Sequence, residues 1–161
     1  MSKKKSVSIH IGLNDKQRGV VINMLNRTLG DTVLLYVKTR NFHWNFEGPQ
    51  FSELHQLFER QYEQLDESMD EIAERARALG GRAAGSMAEF LKLSRLKESQ
   101  GTLSASDMLA ELLADHESLI RQLRQDSTMA GENGDAGSED FLIGLMQAHE
   151  KTAWMLRSYL R

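Results

Sequence analysis

A leucine-rich composition, a near absence of proline and an unbroken apolar stripe in mid-chain together predict an all-α protein built as a bundle of four long helices. The 161 residues include 22 leucines against 5 valines and 6 isoleucines, with one proline, a balance that suits helices rather than sheets. Hydrophobic residues at 40% and charged residues at 27% are enough for a packed core, which excludes a disordered chain. The stripe is Phe51, Leu54, Phe58, Tyr62, Leu65, Met69, Ile72, Ala76 and Leu79, each three or four residues after the last, the repeat of one helix face.

Residues 1–12 read as a basic N-terminal tail carrying Lys3, Lys4 and Lys5, and residues 13–161 as a single domain. Asn14 or Asp15 caps a first helix whose apolar spacing through Val21, Leu25, Leu29 and Tyr36 runs to Trp44. Gly48 and Pro49 end it, with proline starting the second helix. That helix carries the stripe and stops at Gly80 and Gly81. A long connection follows, with a short apolar piece, Met87 to Leu93, that forms a small helix across one end of the bundle. The third long helix begins after Ser104 or Ser106 and reaches about Ala130, and residues 131–137 form a glycine-rich acidic loop. Ser138 caps the last helix, with Glu139 and Asp140 in its first turn. Four long helices with one long crossover between the second and third make a recognised bundle topology.

Several function classes drop out at this level. The chain has no cysteine, so thiolate metal sites, cysteine nucleophiles and disulfides are excluded. Its longest apolar runs are five or six residues, far below the roughly 20 needed to span a membrane, and no signal peptide follows the lysines, so a soluble cytoplasmic protein is expected. With a net charge of −3 the whole surface cannot be a basic nucleic-acid footprint, so any contact with DNA falls to a local patch. Glycine-rich phosphate loops and the HExxH and GxSxG patterns are absent.

Ligand-type residues remain on the second helix. His55 and Glu59 are one turn apart, as are Asp66 and Asp70, and Asp70 and Glu74. Eleven and fifteen residues along a helix return to nearly the same side, so His55, Asp66 and Asp70 share one broad face flanking the apolar stripe. Such a row of acids reads equally as a solvated face paired with residues such as Arg75. His43 adds to the first reading, because it falls on the buried stripe of the first helix and needs a partner there. Histidines with carboxylates are a ligand mix suited to iron. His55 and Asp70 nevertheless stand roughly 22 Å apart along one straight helix and cannot share an ion. Two antiparallel copies of the helix would set His55 and Glu59 of one chain against Asp70 and Glu74 of another, twice per two-fold dimer.

The stretch from Asn41 to Gly81, with Phe42-His43-Trp44-Asn45, Gly48-Pro49, Leu54-His55, Asp70-Glu71-Ile72-Ala73-Glu74-Arg75 and Leu79-Gly80-Gly81, closely resembles the Dps family of mini-ferritins, and the likeness continues to His149-Glu150-Lys151 and Trp154. Ordinary ferritins carry a Glu-x-x-His pattern that occurs nowhere in this chain. The resemblance implies a ferritin-like bundle and a ferroxidase: a homo-oligomeric shell of twelve subunits that oxidises Fe(II), preferably with hydrogen peroxide, at intersubunit di-iron sites, stores ferric oxide and protects DNA. Carried over by position, His43 and His55 come from one subunit and Asp70 and Glu74 from its two-fold mate. Glu59 stands where many members have aspartate. Trp44 becomes an aromatic neighbour of the centre, and Asp66 a group behind its ligands or a bystander.

Glu132, Asp135, Glu139 and Asp140 are the candidates for an acidic pore that admits iron. DNA binding falls to Lys3, Lys4 and Lys5, since the other 17 of the 20 basic residues face 23 acidic ones, and contacts of this kind are weak and lost with salt. An association with the nucleoid would follow only if DNA is bound. The competing readings are a DNA-compacting oligomer whose metal site holds zinc or stands idle, and a helical adaptor with a purely structural core.

Overall fold

Asn14 opens the first helix with a reciprocal cap: its side chain accepts the N–H of Gln17 at 3.0 Å, and the Gln17 side chain accepts the N–H of Asn14 at 2.9 Å. In the computed structural model, which describes residues 8–161, five helices follow in order: α1 (Asp15–Asn45), α2 (Phe51–Ala78), α3 (Met87–Leu93), α4 (Ala105–Glu132) and α5 (Ala136–Tyr159). Ser86 and Ser104 cap α3 and α4 through their hydroxyls. No described helix is long and apolar enough to cross a membrane.

Two expected boundaries move. Pro49 lies in the turn before α2, which starts at Phe51 behind Gln50. The glycine-rich loop shrinks to residues 133–135, because α4 runs through Gly131 and the cap of α5 is Asp135 instead of Ser138. The Asp135 carboxylate accepts both the N–H of Ser138, at 3.0 Å, and its hydroxyl, at 2.7 Å, so the serine serves the aspartate's cap.

Helix α1 packs along α2, α4 packs along α5, α1 meets α4, and α3 lies across α1. Leucines spaced by turns fill the seams, among them Leu25 and Leu35, Leu54 and Leu57, Leu112, Leu119 and Leu123, and Leu142 and Leu156, all fully buried. Each contributes roughly 1.5–3 kcal/mol on burial. Phe90 and Leu93 bring α3 into the same core. At the end of α2 the chain turns through Gly80 at φ +87°, where a side chain would collide with Ile9.

The crossover is fastened by charge. Gly30 lets α3 approach α1 closely, since a Cβ there would sit 3.1 Å from both Leu93 Cβ and the Phe90 carbonyl oxygen. Next to it the buried carboxylate of Asp31 accepts from the Ser94 hydroxyl at 3.1 Å and from the Arg95 backbone N–H and Nε–H at 2.5 and 2.7 Å. Arg95 also reaches Asp126 of α4 at 3.1 Å. Lys38, itself buried, adds a second α1–α4 tie to Glu111 at 2.8 Å and Asp115 at 2.6 Å. Replacing Asp31 with alanine leaves Arg95 only its Asp126 and Gln122 contacts and strips the Ser94 hydroxyl and Arg95 N–H of their acceptor, so a loss of about 3 kcal/mol is expected in chemical denaturation.

Helices α4 and α5 also share a buried histidine pair, His116 and His149, with their Nδ1 atoms 2.8 Å apart. Burial holds both rings below the usual 6.5, His149 at about 4 and His116 well below that usual value, the neighbouring ring adding to the effect on His116. As pH falls from 6.5 toward 4, the unfolded chain binds protons on these rings that the folded chain refuses. Stability should therefore drop on acidification, by up to about 1.4 kcal/mol per pH unit for each ring. Urea midpoints across that range should show this, and His149→Phe should remove about half of the slope; a slope unchanged by the substitution would assign the acid sensitivity elsewhere.

Candidate metal centre

His43 lies in the last turn of α1 and His55 in the second turn of α2, and the tight turn between them brings the two rings into a stack with centroids 3.7 Å apart and planes 21° from parallel. Their orientation is set reciprocally. His43 Nδ1 is 2.8 Å from the His55 carbonyl oxygen, and His55 Nδ1 is 3.0 Å from the His43 carbonyl oxygen. A carbonyl oxygen only accepts, so both Nδ1 atoms carry a proton, and Nε2 is the nitrogen of each ring left to coordinate. Fixing the tautomer by a bond on the far nitrogen is how histidine ligands of metals are prepared.

Aromatic side chains wall this pair. Phe51 stacks on His55 at 4.9 Å, and the edge of Tyr62 meets His43 at 5.1 Å. Burial, followed by the charge of Glu59, raises the Tyr62 phenol above its usual 10.0, so its hydroxyl stays protonated and donates to Glu59 Oε1 at 3.3 Å. The guanidinium of Arg40 lies 4.3 Å over the Tyr62 ring and donates to the Tyr36 hydroxyl at 2.7 Å. Sequence reasoning placed Tyr62 in the apolar stripe and passed over Arg40; the signal was available in an arginine one turn before Trp44 and a tyrosine one turn after Glu59.

The predicted ligands divide into two groups. His43 and His55 meet, and Glu59 lies one turn further along α2, held by Tyr62. Asp70 and Glu74 are exposed, fifteen and nineteen residues beyond His55, roughly 22 and 28 Å along the helix. Among the described residues no three histidine or carboxylate side chains of one chain gather around a common point. Asp70 lines an open groove of about 720 Å³ together with Asp66, Val33, Val37, Met69 and Phe90. Trp44 is 63% exposed and lies beside Arg40, 5.3 Å from its guanidinium.

Of the acids predicted for a pore, Glu132 and Asp140 are exposed and Glu139 is half-buried. Asp135 departs from the expectation: it is 4% exposed, and Arg75 Nη2 donates to its Oδ1 at 2.7 Å while Arg75 Nε donates to Ser138. Its charge is committed to joining α2 to α5. Lys3, Lys4 and Lys5 lie outside the described residues.

A family model described as a ferritin-like domain matches residues 22–161. A low temperature-induced protein of Nostoc sp. is 54% identical over 94% of this chain and 86% of its own length. DNA protection during starvation protein 2 of Bacillus anthracis is 37% identical over 87% of this chain and 96% of its own. Among solved structures, Dps from Thermosynechococcus elongatus aligns with a TM-score of 0.88 at 34% identity, covering 91% of this chain and 93% of that one. The Vibrio cholerae Dps protein, described as a member of a broad superfamily of ferritin-like diiron-carboxylate proteins, aligns at 0.92 with 32% identity, covering 99% and 100%.

Proposed function

Because the chain belongs to the Dps family of ferritin-like proteins, we propose that it oxidises Fe(II) at centres shared between two-fold related subunits and stores the ferric product inside a closed shell of twelve chains. The observation that carries this reading is the split of the ligand set: two histidines with prepared Nε2 atoms at one end of α2, two uncommitted carboxylates at the other. An antiparallel partner brings one end against the other, and an isologous contact does so twice. The groove that holds Asp70 supports the same geometry, since its apolar lining is surface a second copy would cover.

The residues have distinct tasks. His43 and His55 bind Fe(II) through Nε2, the ring nitrogen that no backbone carbonyl engages. Asp70, Glu74 and Glu59 supply negative charge, which stabilises Fe(III) over Fe(II) and so favours electron loss. Two irons side by side release two electrons, the number that takes hydrogen peroxide to water without liberating hydroxyl radical. Tyr62 steadies Glu59, whose side chain is one methylene longer than aspartate, and Arg40 packs on that tyrosine. Zinc, which also favours imidazole with carboxylate, would compete for this donor set. Glu132, Glu139 and Asp140 are the acids that would draw cations toward an opening; Asp135 is withdrawn from that role.

Anaerobic loading with Fe(II) followed by peroxide should give fast ferric absorbance at two irons per centre, and His43→Ala with His55→Ala should abolish the fast phase. Refolding an equal mixture of that double variant with an Asp70→Ala, Glu74→Ala chain tests the sharing directly. Neither parent should oxidise quickly, yet about a quarter of the centres should recover, because each mixed dimer rebuilds one of its two sites. No recovery in a mixture that assembles normally would place each site within one chain, and no oxidation by the unaltered protein would favour the DNA-compacting reading. For DNA, gel retardation should be weak, vanish on raising salt and be lost when Lys3, Lys4 and Lys5 are replaced.

A further inference from the structure

The iron reading leaves a polar cluster inside the bundle unused. Helix α2 has α1 and α5 as its neighbours, and α4 has the same two, so α2 and α4 stand on a diagonal across the bundle. Gln61 of α2, His116 of α4 and His149 of α5 line one cavity of about 20 Å³ between those helices. The three side chains are deep, 5%, 2% and 6% exposed. Gln64 and Ala148, both exposed, belong to the same lining, so the cavity opens to the surface between α2 and α5.

Hydrogen bonding in this cluster is incomplete. The contact between the two histidine Nδ1 atoms, 2.8 Å long, uses one proton and one lone pair and leaves each ring only its Nε2. Among the described residues His116 Nε2, Gln61 Oε1 and Gln61 Nε2 are buried without a hydrogen-bond partner. The hydroxyls of the lining do not supply a donor. Ser68 donates to the Gln64 carbonyl oxygen at 2.9 Å and Thr152 to the Ala148 carbonyl oxygen at 3.2 Å, so both protons stay within their own helices. Unpaired polar atoms this deep, gathered on one small space, call for an occupant that both donates and accepts.

We propose that this cavity is a binding site for a single water molecule, which joins Gln61 of α2 to His116 of α4 and so braces the bundle across its diagonal. Size selects one molecule: the cavity exceeds the roughly 10–15 Å³ that one water requires and falls short of two. Donor and acceptor chemistry selects water. His116 Nε2 is bare or protonated according to which ring donates in the Nδ1 contact, and the glutamine amide offers an acceptor and a donor. Water serves the imidazole and the amide in either state, whereas an ammonium ion only donates and a halide only accepts. Charge points the same way. No carboxylate, lysine or arginine lines the cavity and burial keeps both rings neutral, so an ion would enter without a counter-charge.

The test is a crystal structure of the full-length protein at a resolution that shows ordered water, with a second crystal pressurised under xenon. Density for one water within hydrogen-bond distance of both His116 Nε2 and the Gln61 amide is expected, and xenon should stay out, since it fills dry apolar cavities. Urea unfolding of Gln61→Leu, His116→Phe and the double variant gives an independent reading. Each single change strands the water's other partner, so each should lower the midpoint, and the double variant should lower it by less than the two singles summed. The proposal is overturned if the density is missing, if it carries the anomalous signal of a metal, if xenon enters, or if the two losses add. The crystals of the unaltered protein decide the matter even where a variant fails to fold.

Discussion

A straight α-helix cannot bring its own two ends together, and this rigidity is the constraint on which the molecule turns. Helix α2 carries histidine near its start and carboxylates near its end, roughly 22 Å apart. Nothing inside one chain shortens that distance. The rest of the fold can be seen as a means of keeping α2 straight and correctly presented: α1 lies along it, α3 is bolted across α1 through Asp31 and Arg95, and Arg75 ties its far end to α5 through Asp135 and Ser138. A kinked or shortened α2 would move both halves of the proposed ligand set at once.

The same residue type serves two ends here because the surroundings differ. His43 and His55 each give the Nδ1 proton to a backbone carbonyl oxygen of the other. His116 and His149 face each other in a lining that holds no charge at all. Surroundings, not residue type, separate a pair bonded to backbone carbonyls from a pair locked in a mutual ring-to-ring contact.

Local pattern made much of this legible. The apolar stripe of α2, the serine cap of α4 and the glycine stop after α2 are short-range signals, readable from residues three or four apart. His43 and His55 were also readable, because one lies on a buried face and the other begins a row of ligand-type residues. The features missed depend on partners far away in the chain. Asp135 reads as a free acid until Arg75, sixty residues earlier, is seen beside it. Asp31 and Arg95 are 64 residues apart, and His116 and His149 are 33 apart. In each case the side chain looks ordinary in its own segment, and only the packing of helices reveals what it pairs with. Tyr62 was misjudged for a different reason, since one ring can serve an apolar face and offer a hydroxyl to Glu59.

The bond from His55 to the carbonyl of His43 has a second use. That carbonyl sits in the last turn of α1, beyond the reach of the helix's own N–H groups, and the imidazole fills the place of the missing donor. The ring proposed as a ligand also finishes the preceding helix. Ring orientation and chain reversal are therefore one unit: replacing His55 removes a donor from the end of α1, and redrawing the corner would turn the ring away from its present place.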